Sequence, residues 1–272
     1  MTAPTPEPRE SWTAIAERAE GFAREAGELL METFGRLDPA RIRSKSARRD
    51  LVTEADVASE RLLVERLRAA YPDHAIEAEE EVRDAGAERG GLRWFLDPLD
   101  GTINYVHRLP AFAVSMGLFL DDQPVVAVVH APRLGETFVA SAGNGTRLNG
   151  EPIGVSETDE MVDAILATGF PYRRGELPNN NLGNFNEMFL SVRGLRRMGS
   201  AAIDLAYCAA GRLDAYWELH LSPHDVAAGA LLVREAGGVV TDLNGGDDWL
   251  RGGHIAAGPA KLHAELVRRL DT

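Results

Sequence analysis

A short run of acidic and small residues between Trp94 and Tyr105 has the residue types that phosphate chemistry needs. Asp97 follows an apolar stretch, Pro98 turns the chain, and Asp100 lies three residues after Asp97. Two carboxylates that meet at the end of a strand repel each other unless a cation lies between them. Carboxylate oxygens are hard ligands that suit Mg²⁺ or Mn²⁺. The run therefore predicts a divalent-metal site, and the alternative is an acidic turn in which an aspartate caps a helix.

The residues that follow Asp100 add an anion site to this arrangement. Gly101 and Thr102 can begin a helix, whose first backbone N–H groups are free and whose dipole attracts negative charge. A metal beside such an anion cradle is suited to phosphoryl chemistry. Phosphatases with an aspartate nucleophile carry D-x-D-x-T near the end of their first strand, whereas this chain has D-P-L-D beginning at position 97. Spacing and place exclude that class.

Three further acidic groups could complete a site, and each also has a simpler explanation. Glu79 is the first of three consecutive glutamates, which usually form a solvated charge run. Asp225 lies three residues after Ser222, and Asp56 lies three residues after Thr53. Both spacings are typical of a capping box at the start of a helix. From the residues alone, metal binding and these simpler explanations stay open.

Together and in this order, the four groups resemble the inositol monophosphatase family of metal-dependent, lithium-sensitive phosphatases. The segment Trp94–Tyr105 matches the family signature W-x-x-D-P-x-D-G-T-x-N-[FY] at every defined position. The segment Ser222–Gly238 resembles the second signature, with His224 in place of the usual Trp. Ala78 replaces the Gly of the family's G-E-E motif. The resemblance extends from about Trp12 to the C-terminus.

The resemblance implies a role for each residue that matches the family pattern. The implied metal ligands are Glu79, Asp97, the carbonyl of Leu99, Asp100 and Asp225. Among the three glutamates, Glu79 is the one that best aligns with the family's ligand position, and Glu80 is the alternative. The implied catalytic residues are Asp56, Thr102 and Glu79, of which Thr102 and Asp56 would orient the attacking water. The amides of Gly101 and Thr102 would bind phosphate. The residues expected to face the alcohol part of the substrate are Asp100, Ala201, Glu218 and Asp225.

This resemblance implies a Mg²⁺-dependent phosphomonoesterase, with Mn²⁺ as a substitute, that hydrolyses inositol monophosphate or a similar small polyol phosphate. Other substrates within the superfamily are alternatives: histidinol phosphate, fructose 1,6-bisphosphate or a 3′-phosphoadenosine nucleotide. A regulatory or interaction protein on the same fold is an alternative of a different class. Members of the family are commonly homodimers, so a homodimer is expected.

Helices and strands must bring these distant residues together. Apolar periodicity predicts helices over Ser11–Phe34 and from Thr53 to the Tyr71–Pro72 stop. Strands are predicted in the first half at Trp94–Leu96, Ala111–Leu120, Val125–Val129 and Thr137–Ala140. In the second half, predicted strands are Ala164–Thr168, Asp214–Glu218, Val239–Thr241 and Ile255–Ala257. Predicted helices there are Leu182–Ser191, Ala201–Ala210, Val226–Ala236 and Ala260–Leu270. Between these elements, residues 41–49 form a basic stretch expected to be exposed. Within it, Lys45 resembles a family lysine near the site, and a solvated position in the basic stretch is the equal alternative.

This order of elements predicts a disordered tail at residues 1–10 and two halves within one compact unit. An α+β half, residues 11–149, would carry the metal site, and an α/β half, residues 150–272, would complete it. The family resemblance implies a layered α-β-α-β-α sandwich of the inositol monophosphatase and fructose-bisphosphatase type.

Composition excludes several classes of function. Lys and Arg number 29 against 42 Asp and Glu, which gives a net charge of −13. Such a charge repels nucleic-acid phosphates and anionic membranes, so neither is expected as the main ligand. The longest apolar runs are far shorter than the roughly 18 residues of a membrane-spanning helix. One cysteine, Cys208, excludes an intrachain disulfide and fits a reducing compartment. We therefore expect a cytoplasmic protein, and the family resemblance implies that it acts on a small phosphate monoester.

Overall fold

Helices and strands alternate through the chain in the computed structural model, which describes residues 10–38, 40, 42–45, 47, 49–84 and 91–271. The predicted tail lies outside these residues except for Glu10. The described helices are α1 Trp12–Thr33, α2 Glu54–Ala70, α3 Thr102–Val106, α4 Leu182–Phe189, α5 Ala201–Ala209, α6 Pro223–Glu235 and α7 Ala260–Arg269. The first strands are β1 Arg43–Ser44, β2 Leu51–Val52, β3 Ala75–Ala78, β4 Leu92–Asp100, β5 Ala113–Leu120, β6 Gln123–Ala131 and β7 Glu136–Ser141. The remaining strands are β8 Thr146–Leu148, β9 Glu151–Ile153, β10 Ile165–Thr168, β11 Gly194–Arg196, β12 Ala215–Leu219, β13 Val239–Thr241 and β14 His254–Gly258.

The strands form two main sheets and one small pair. The larger sheet has the order β3-β4-β5-β6-β7-β8-β9, in which only β3 and β4 are parallel neighbours. The smaller sheet has the order β11-β10-β12-β14-β13, in which β10 runs parallel to both of its neighbours. Strands β1 and β2 pair separately. Since β9 belongs to the larger sheet, that sheet continues beyond residue 149, and the division into halves at that position stays a prediction.

Helices cover both sheets and also fill the space between them. Helices α1 and α2 pack on one face of the larger sheet, where Leu30 and Leu63 share a core with Trp94. Helices α5 and α6 lie between the sheets and pack on both. Helices α4 and α7 contribute to a third core against the outer face of the smaller sheet, around Trp217. The layers are therefore α-β-α-β-α, which confirms the predicted fold class.

Strand β4 shows why the larger sheet needs helices on both faces. Trp94 and Leu96 belong to the core beneath α1 and α2, whereas Phe95 belongs to the core between the sheets. Successive side chains of a strand point to opposite faces, so a strand buried on both sides is apolar without alternation. This explains the uninterrupted apolar run that precedes Asp97.

The structure corrects the prediction about Pro98. Pro98 does not end the strand, because β4 continues through it to Asp100, with a register shift against β5 between Asp97 and Asp100. Proline lacks an N–H and is tolerated in a sheet at such an irregularity. In a regular strand, residues three apart point to opposite faces. The shift explains how Asp97 and Asp100 line the same cavity.

The other predicted elements are present, with ends displaced by a few residues. The strands that the sequence did not predict are β1, β2, β3, β8, β9 and β11, which have two to four residues each. Segments of that length are too short to show a hydrophobic period. Among the helices of the described residues, none combines the length and the apolar character that crossing a membrane requires.

Candidate active site

One cavity of about 250 Å³ collects nearly all of the predicted site residues. Its lining includes Glu79, Asp97, Leu99, Asp100, Gly101, Thr102, Ala201, Glu218 and Asp225. These residues come from the loop after β3, the end of β4, the start of α3, the start of α5, strand β12 and the start of α6. Asp56 is the exception, because it is fully buried and reaches the cavity only through Thr102.

Asp97 and Asp100 are each fixed by hydrogen bonds to one carboxylate oxygen. The Leu99 amide donates to Asp97 Oδ1 at 3.0 Å. The Ser200 hydroxyl and the Ala202 amide, at the start of α5, donate to Asp100 Oδ2 at 2.6 and 2.7 Å. The other oxygen of each carboxylate accepts no hydrogen bond from the described residues. Each aspartate is therefore oriented and still has an oxygen available to a ligand.

Asp225 occupies the third position of α6. Its Oδ2 accepts a hydrogen bond from the Ser222 amide at 2.6 Å, so the predicted capping contact exists. Its Oδ1 lies 3.8 Å from His224 Nε2, too far for a hydrogen bond. Capping uses one oxygen of Asp225, and its side chain still lines the cavity.

The three glutamates after β3 are held in place, and of the two alternatives for Lys45 the structure shows the position near the site. Glu60, buried on α2, accepts hydrogen bonds from the amides of residues 80–82 at 2.7 to 2.9 Å. Lys45 Nζ donates to Glu79 at 2.8 Å and also to Glu80. Burial alone would lower the pKa of Lys45, but the two carboxylates raise it overall. Glu79, the preferred register, is the glutamate that lines the cavity.

Asp56 makes both of the contacts that the sequence left as alternatives. Its Oδ2 accepts from the Thr53 amide at 2.8 Å and the Thr53 hydroxyl at 2.6 Å, which caps α2. Its Oδ1 accepts from the Thr102 hydroxyl at 2.9 Å, across 46 residues of sequence. Thr102 Oγ1 also lies 3.1 Å from the Leu99 carbonyl. Burial raises the pKa of Asp56 to about 6, although these donors act in the opposite direction.

Glu218 lies on the wall of the cavity provided by β12. Its carboxylate accepts a hydrogen bond from the Tyr216 hydroxyl at 2.6 Å. Burial raises the pKa of Glu218 to about 7, against the lowering effects of Tyr216 and the charge of Arg197. A Cβ atom on Gly169 would lie about 2.0 Å from this carboxylate, so glycine leaves the room that Glu218 occupies.

The carboxylates of the cavity form a donor set for a hard cation. Burial, and then repulsion from neighbouring carboxylates, raises the pKa of Asp97 well above its ordinary value. Burial also raises the pKa values of Asp100 and Asp225 to about 7, and charge repulsion contributes to both. Such crowding of like charges is relieved by a bound cation. The donors thus fit Mg²⁺ in kind.

In this structure, the carboxylates of the cavity do not converge on one point as three or more ligands of a single ion would. Within the described part of the chain, no three His, Cys, Asp or Glu side chains are close enough together to hold a metal. Lys45 Nζ lies 2.8 Å from Glu79 Oε1 and supplies one positive charge beside that carboxylate. Mg²⁺ is commonly held by one or two carboxylates together with water molecules, so a site of that kind does not need three such side chains.

Comparison with known proteins identifies the family to which this site belongs. The model of the inositol monophosphatase family matches residues 11–272. The chain belongs to this family. The resemblance inferred from the motifs is thereby confirmed, and a phosphatase fold is shown for the whole matched length.

The proteins that this chain resembles are named either as SuhB proteins or as inositol monophosphatases. The chain is 46% identical over 262 residues to Nus factor SuhB of Pseudomonas aeruginosa, covering 94% of each chain. Among solved structures, it resembles the inositol monophosphatase of Anabaena (Nostoc) sp., with a TM-score of 0.85 and 39% identity, covering 94% of this chain and 95% of that one. It also resembles the extragenic suppressor protein suhB of Bartonella henselae, with a TM-score of 0.88 and 36% identity, covering 95% of this chain and 99% of that one.

Several residues of the cavity were missed by sequence reasoning. Asp50, Tyr172 and Arg197 line it as well, and Glu60 supports it from behind. None of them lies within a signature segment, and each reaches the site through tertiary packing. A sequence pattern offered no indication of these four residues.

Proposed function

We propose that this chain is a Mg²⁺-dependent phosphomonoesterase that hydrolyses inositol monophosphate or a similar small polyol phosphate. One observation carries the proposal: the Thr102 hydroxyl donates to the buried carboxylate of Asp56 beside a cavity lined by Glu79, Asp97, Asp100 and Asp225. A proton acceptor next to a set of hard metal ligands is the arrangement that hydrolysis by an activated water requires.

The metal ligands in this proposal are Glu79, Asp97, the Leu99 carbonyl, Asp100 and Asp225. When bound, Mg²⁺ would neutralise phosphate charge and lower the pKa of a water molecule. The second carboxylate oxygens of Asp97 and Asp100 accept no hydrogen bond from the described residues, so they are available to the metal. Lys45 would stay beside Glu79 and limit how much negative charge the loop after β3 presents.

Thr102 and Asp56 would receive the proton that the attacking water loses. Because the Thr102 hydroxyl donates its hydrogen bond to Asp56, the lone pairs of the Thr102 oxygen remain free to accept a hydrogen bond from the attacking water. With its pKa raised to about 6, Asp56 is ionised at neutral pH and yet basic enough to hold a proton briefly.

The positions that would receive phosphate and alcohol lie next to this pair. Gly101 has φ +90°, and a Cβ there would approach the Ala111 carbonyl to 2.8 Å, so only glycine suits this turn. Gly101 and Thr102 both line the cavity, where their amides would bind phosphate. Ala201 and Glu218 would face the alcohol. Histidinol phosphate, fructose 1,6-bisphosphate and 3′-phosphoadenosine nucleotides remain alternative substrates, and a homodimer and a cytoplasmic location remain predictions.

A regulatory role through protein contacts is the second candidate function. It is supported by the names of relatives such as the Nus factor SuhB proteins of Pseudomonas aeruginosa, at 46% identity, and Escherichia coli K12, at 40%. The two candidates are compatible, because a chain can keep a complete hydrolytic site and also bind a partner.

Phosphate release from a panel of small monoesters, measured with Mg²⁺ and with excess EDTA, tests the proposal. We expect release only with Mg²⁺, and a loss of at least about 100-fold in kcat for Asp97→Asn. Asp122→Asn is the matched control, because Asp122 is exposed on the turn between β5 and β6. Full activity in EDTA would exclude the metal mechanism. No release from any ester by folded protein with Mg²⁺ would leave the regulatory candidate.

A further inference from the structure

The inward face of α2 carries three polar side chains, Asp56, Ser59 and Glu60, where a helix that covers a sheet ordinarily presents apolar ones. Each of the three is at most 1% exposed. Spacings of three and four residues place them on one face, and Leu63 and Leu67 continue that face into the apolar core beneath the helix. Buried polar groups cost free energy unless each has a partner, so the partners of these side chains indicate what the face does.

Each of the three side chains contacts a different segment that contributes to the cavity. Asp56 reaches the start of α3 through the Thr102 hydroxyl. The Ser59 hydroxyl donates to the Pro98 carbonyl near the end of β4 at 2.9 Å. Glu60 accepts from backbone amides of the turn after β3. One helix face therefore holds all three segments at fixed positions relative to one another.

The contact from Ser59 falls on the irregularity of β4. Pro98 lies inside the register shift between Asp97 and Asp100, the shift that lets both aspartates line the cavity. Proline has no N–H, so the carbonyl is the only hydrogen-bonding group of its backbone. Because the Ser59 hydroxyl binds this carbonyl, it fixes the backbone between Asp97 and Leu99.

The contacts from Glu60 fix the turn that presents Glu79. Its carboxylate accepts from the amides of residues 80–82 at 2.7 to 2.9 Å, two on Oε1 and one on Oε2. The Glu79 amide donates to the Leu96 carbonyl at 3.1 Å, which joins the same turn to β4. Hydrogen bonds to an ionised acceptor are roughly twice as strong as neutral ones. Glu60 therefore determines the position of the backbone that carries Glu79.

We infer that Ser59 and Glu60 are positioning residues that set the divalent-metal affinity of the cavity. Ser59 acts through the segment 97–100, and Glu60 acts through Glu79. This inference rests on the proposed function and adds to it the residues that hold its metal ligands in place. Neither residue is among the described residues that line the cavity, so both act through other side chains. Loss of such an outer partner commonly weakens metal binding by about 10- to 100-fold, because the ligand is then less well oriented.

Binding of Mn²⁺ to the metal-free protein, followed by electron paramagnetic resonance, tests this without any substrate. We expect Ser59→Ala and Glu60→Gln each to raise the Kd for Mn²⁺ by about tenfold or more. In Glu60→Gln, one carboxylate oxygen becomes an NH₂ group, which donates and cannot accept from the turn. If Glu60→Gln does not fold, Glu60→Asp takes its place with the same expectation, because it withdraws the carboxylate from the turn by one methylene.

Two controls on the same helix separate positioning from general effects. Val64→Ala shortens a buried apolar side chain of α2 and lowers stability without a polar contact to the site. Glu65→Gln removes a negative charge from an exposed side chain of α2. Both should keep the wild-type Kd for Mn²⁺, and thermal unfolding in EDTA shows that each variant is folded.

A double-substitution cycle identifies the ligand through which each residue acts. In a Glu79→Gln background, Glu60→Gln should raise the Kd by less than about threefold, because the carboxylate that it positions is already gone. Ser59→Ala should keep its full effect in that background, since it acts on a different segment.

The outcomes separate this inference from the proposed function. Wild-type Mn²⁺ affinity in Ser59→Ala or in Glu60→Gln overturns the inference for that residue and leaves the proposed function intact. A loss of affinity no greater than that of Val64→Ala assigns the effect to stability and also overturns it. An undiminished effect of Glu60→Gln in the Glu79→Gln background overturns the assignment to Glu79. If the wild-type protein binds no Mn²⁺, the proposed function and this inference both fail.

Discussion

At the scale of single residues, the acidic side chains of this chain carry structural and chemical contacts at the same time. Asp56 caps α2 with one oxygen and meets Thr102 with the other. Asp225 likewise caps α6 and lines the cavity. A capping explanation and a chemical explanation therefore do not compete at these positions. Experiments must separate them by removing one contact of a residue and keeping the other.

Thr53 and Thr102 allow this separation for Asp56. Thr102→Ala removes the proposed proton acceptor, and we expect kcat to fall by about 10²- to 10⁴-fold with KM within a few-fold. Thr53→Ala removes the capping hydroxyl but keeps the Thr102 contact, and we expect a loss of about 1 kcal/mol in stability with kcat within about twofold. This kcat is measured at pH 8, because loss of the Thr53 donor raises the pKa of Asp56. Steady-state kinetics and thermal unfolding of both variants measure the two effects.

Asp56→Asn closes the comparison, because it should lower both kcat and stability. Combined with Thr102→Ala, it should lower kcat little further, since the two side chains act as one unit. Wild-type kcat in Thr102→Ala, or an equal loss of kcat in Thr53→Ala, would contradict the proposed role of the pair.

At the scale of secondary-structure elements, the sequence predicts the long elements that have a hydrophobic period. It misses the short strands and the features that form through tertiary packing. Helix α1, with its Ser11 cap, and α2, with its Thr53 capping box, follow the predicted bounds closely. The β4 irregularity at Pro98 was not predictable, because it belongs to the pairing with β5, whose partner residues lie 13 to 18 positions away in sequence. The motifs identified the carboxylates of the site and left Lys45 between a place near the site and a solvated one, but they did not identify Glu60. The roles of both residues depend on where α2 and β1 pack.

Two glycines in α1 test how tightly that helix packs on the larger sheet. A Cβ on Gly27 would lie 2.5 Å from the His130 ring on β6, and that ring is held by a 2.9 Å contact with Thr137. A Cβ on Gly21 would meet nothing within 4 Å. We expect Gly27→Ala to lose about 1–3 kcal/mol from overpacking. Gly21→Ala should gain about 0.5–1 kcal/mol, because alanine favours a helix over glycine.

Chemical denaturation of the two glycine variants measures this difference, and each variant is the control of the other. Both changes add one methyl group to the interior of the same helix, so intrinsic helix propensity cancels between them. Equal effects on stability would mean that α1 can shift away from β6 without cost.

At the scale of the whole molecule, the site joins the larger sheet to helices α5 and α6. Asp100 on β4 accepts from Ser200 and Ala202 at the start of α5. Farther away, the Glu235 carboxylate on α6 accepts from the amides of Gly143 and Gly145 at 3.0 and 2.9 Å. Because carboxylates from β4 and α6 line one cavity, whatever neutralises them should stabilise the entire fold.

This coupling predicts how Mg²⁺ and pH act together on stability. Burial raises the folded-state pKa values of Asp100 and Asp225 from 3.8 to about 7. The stability that their protonation contributes is complete below about pH 3.8 and is lost as pH rises through about 7. Above that pH the carboxylates are charged, and Mg²⁺ can replace the lost protons. The shift in Tm caused by Mg²⁺ should therefore be larger at pH 8 than at pH 5.5. At free Mg²⁺ about 100 times its Kd, linkage gives roughly 2.7 kcal/mol, or about 5–10 °C.

Asp100→Asn is the decisive variant for this coupling, because asparagine keeps an oxygen for Ser200 and Ala202 while removing one charge. We expect its metal-free form at pH 8 to be at least as stable as metal-free wild type, since one repulsion is gone. Its Tm should then gain only a small part of the wild-type shift on adding Mg²⁺. Asp122→Asn, on an exposed turn, should keep the full shift. Thermal unfolding of the three proteins with EDTA or Mg²⁺ at pH 5.5 and 8 measures this. A shift of equal size at both pH values, or an undiminished shift in Asp100→Asn, would show that these carboxylates do not hold the metal.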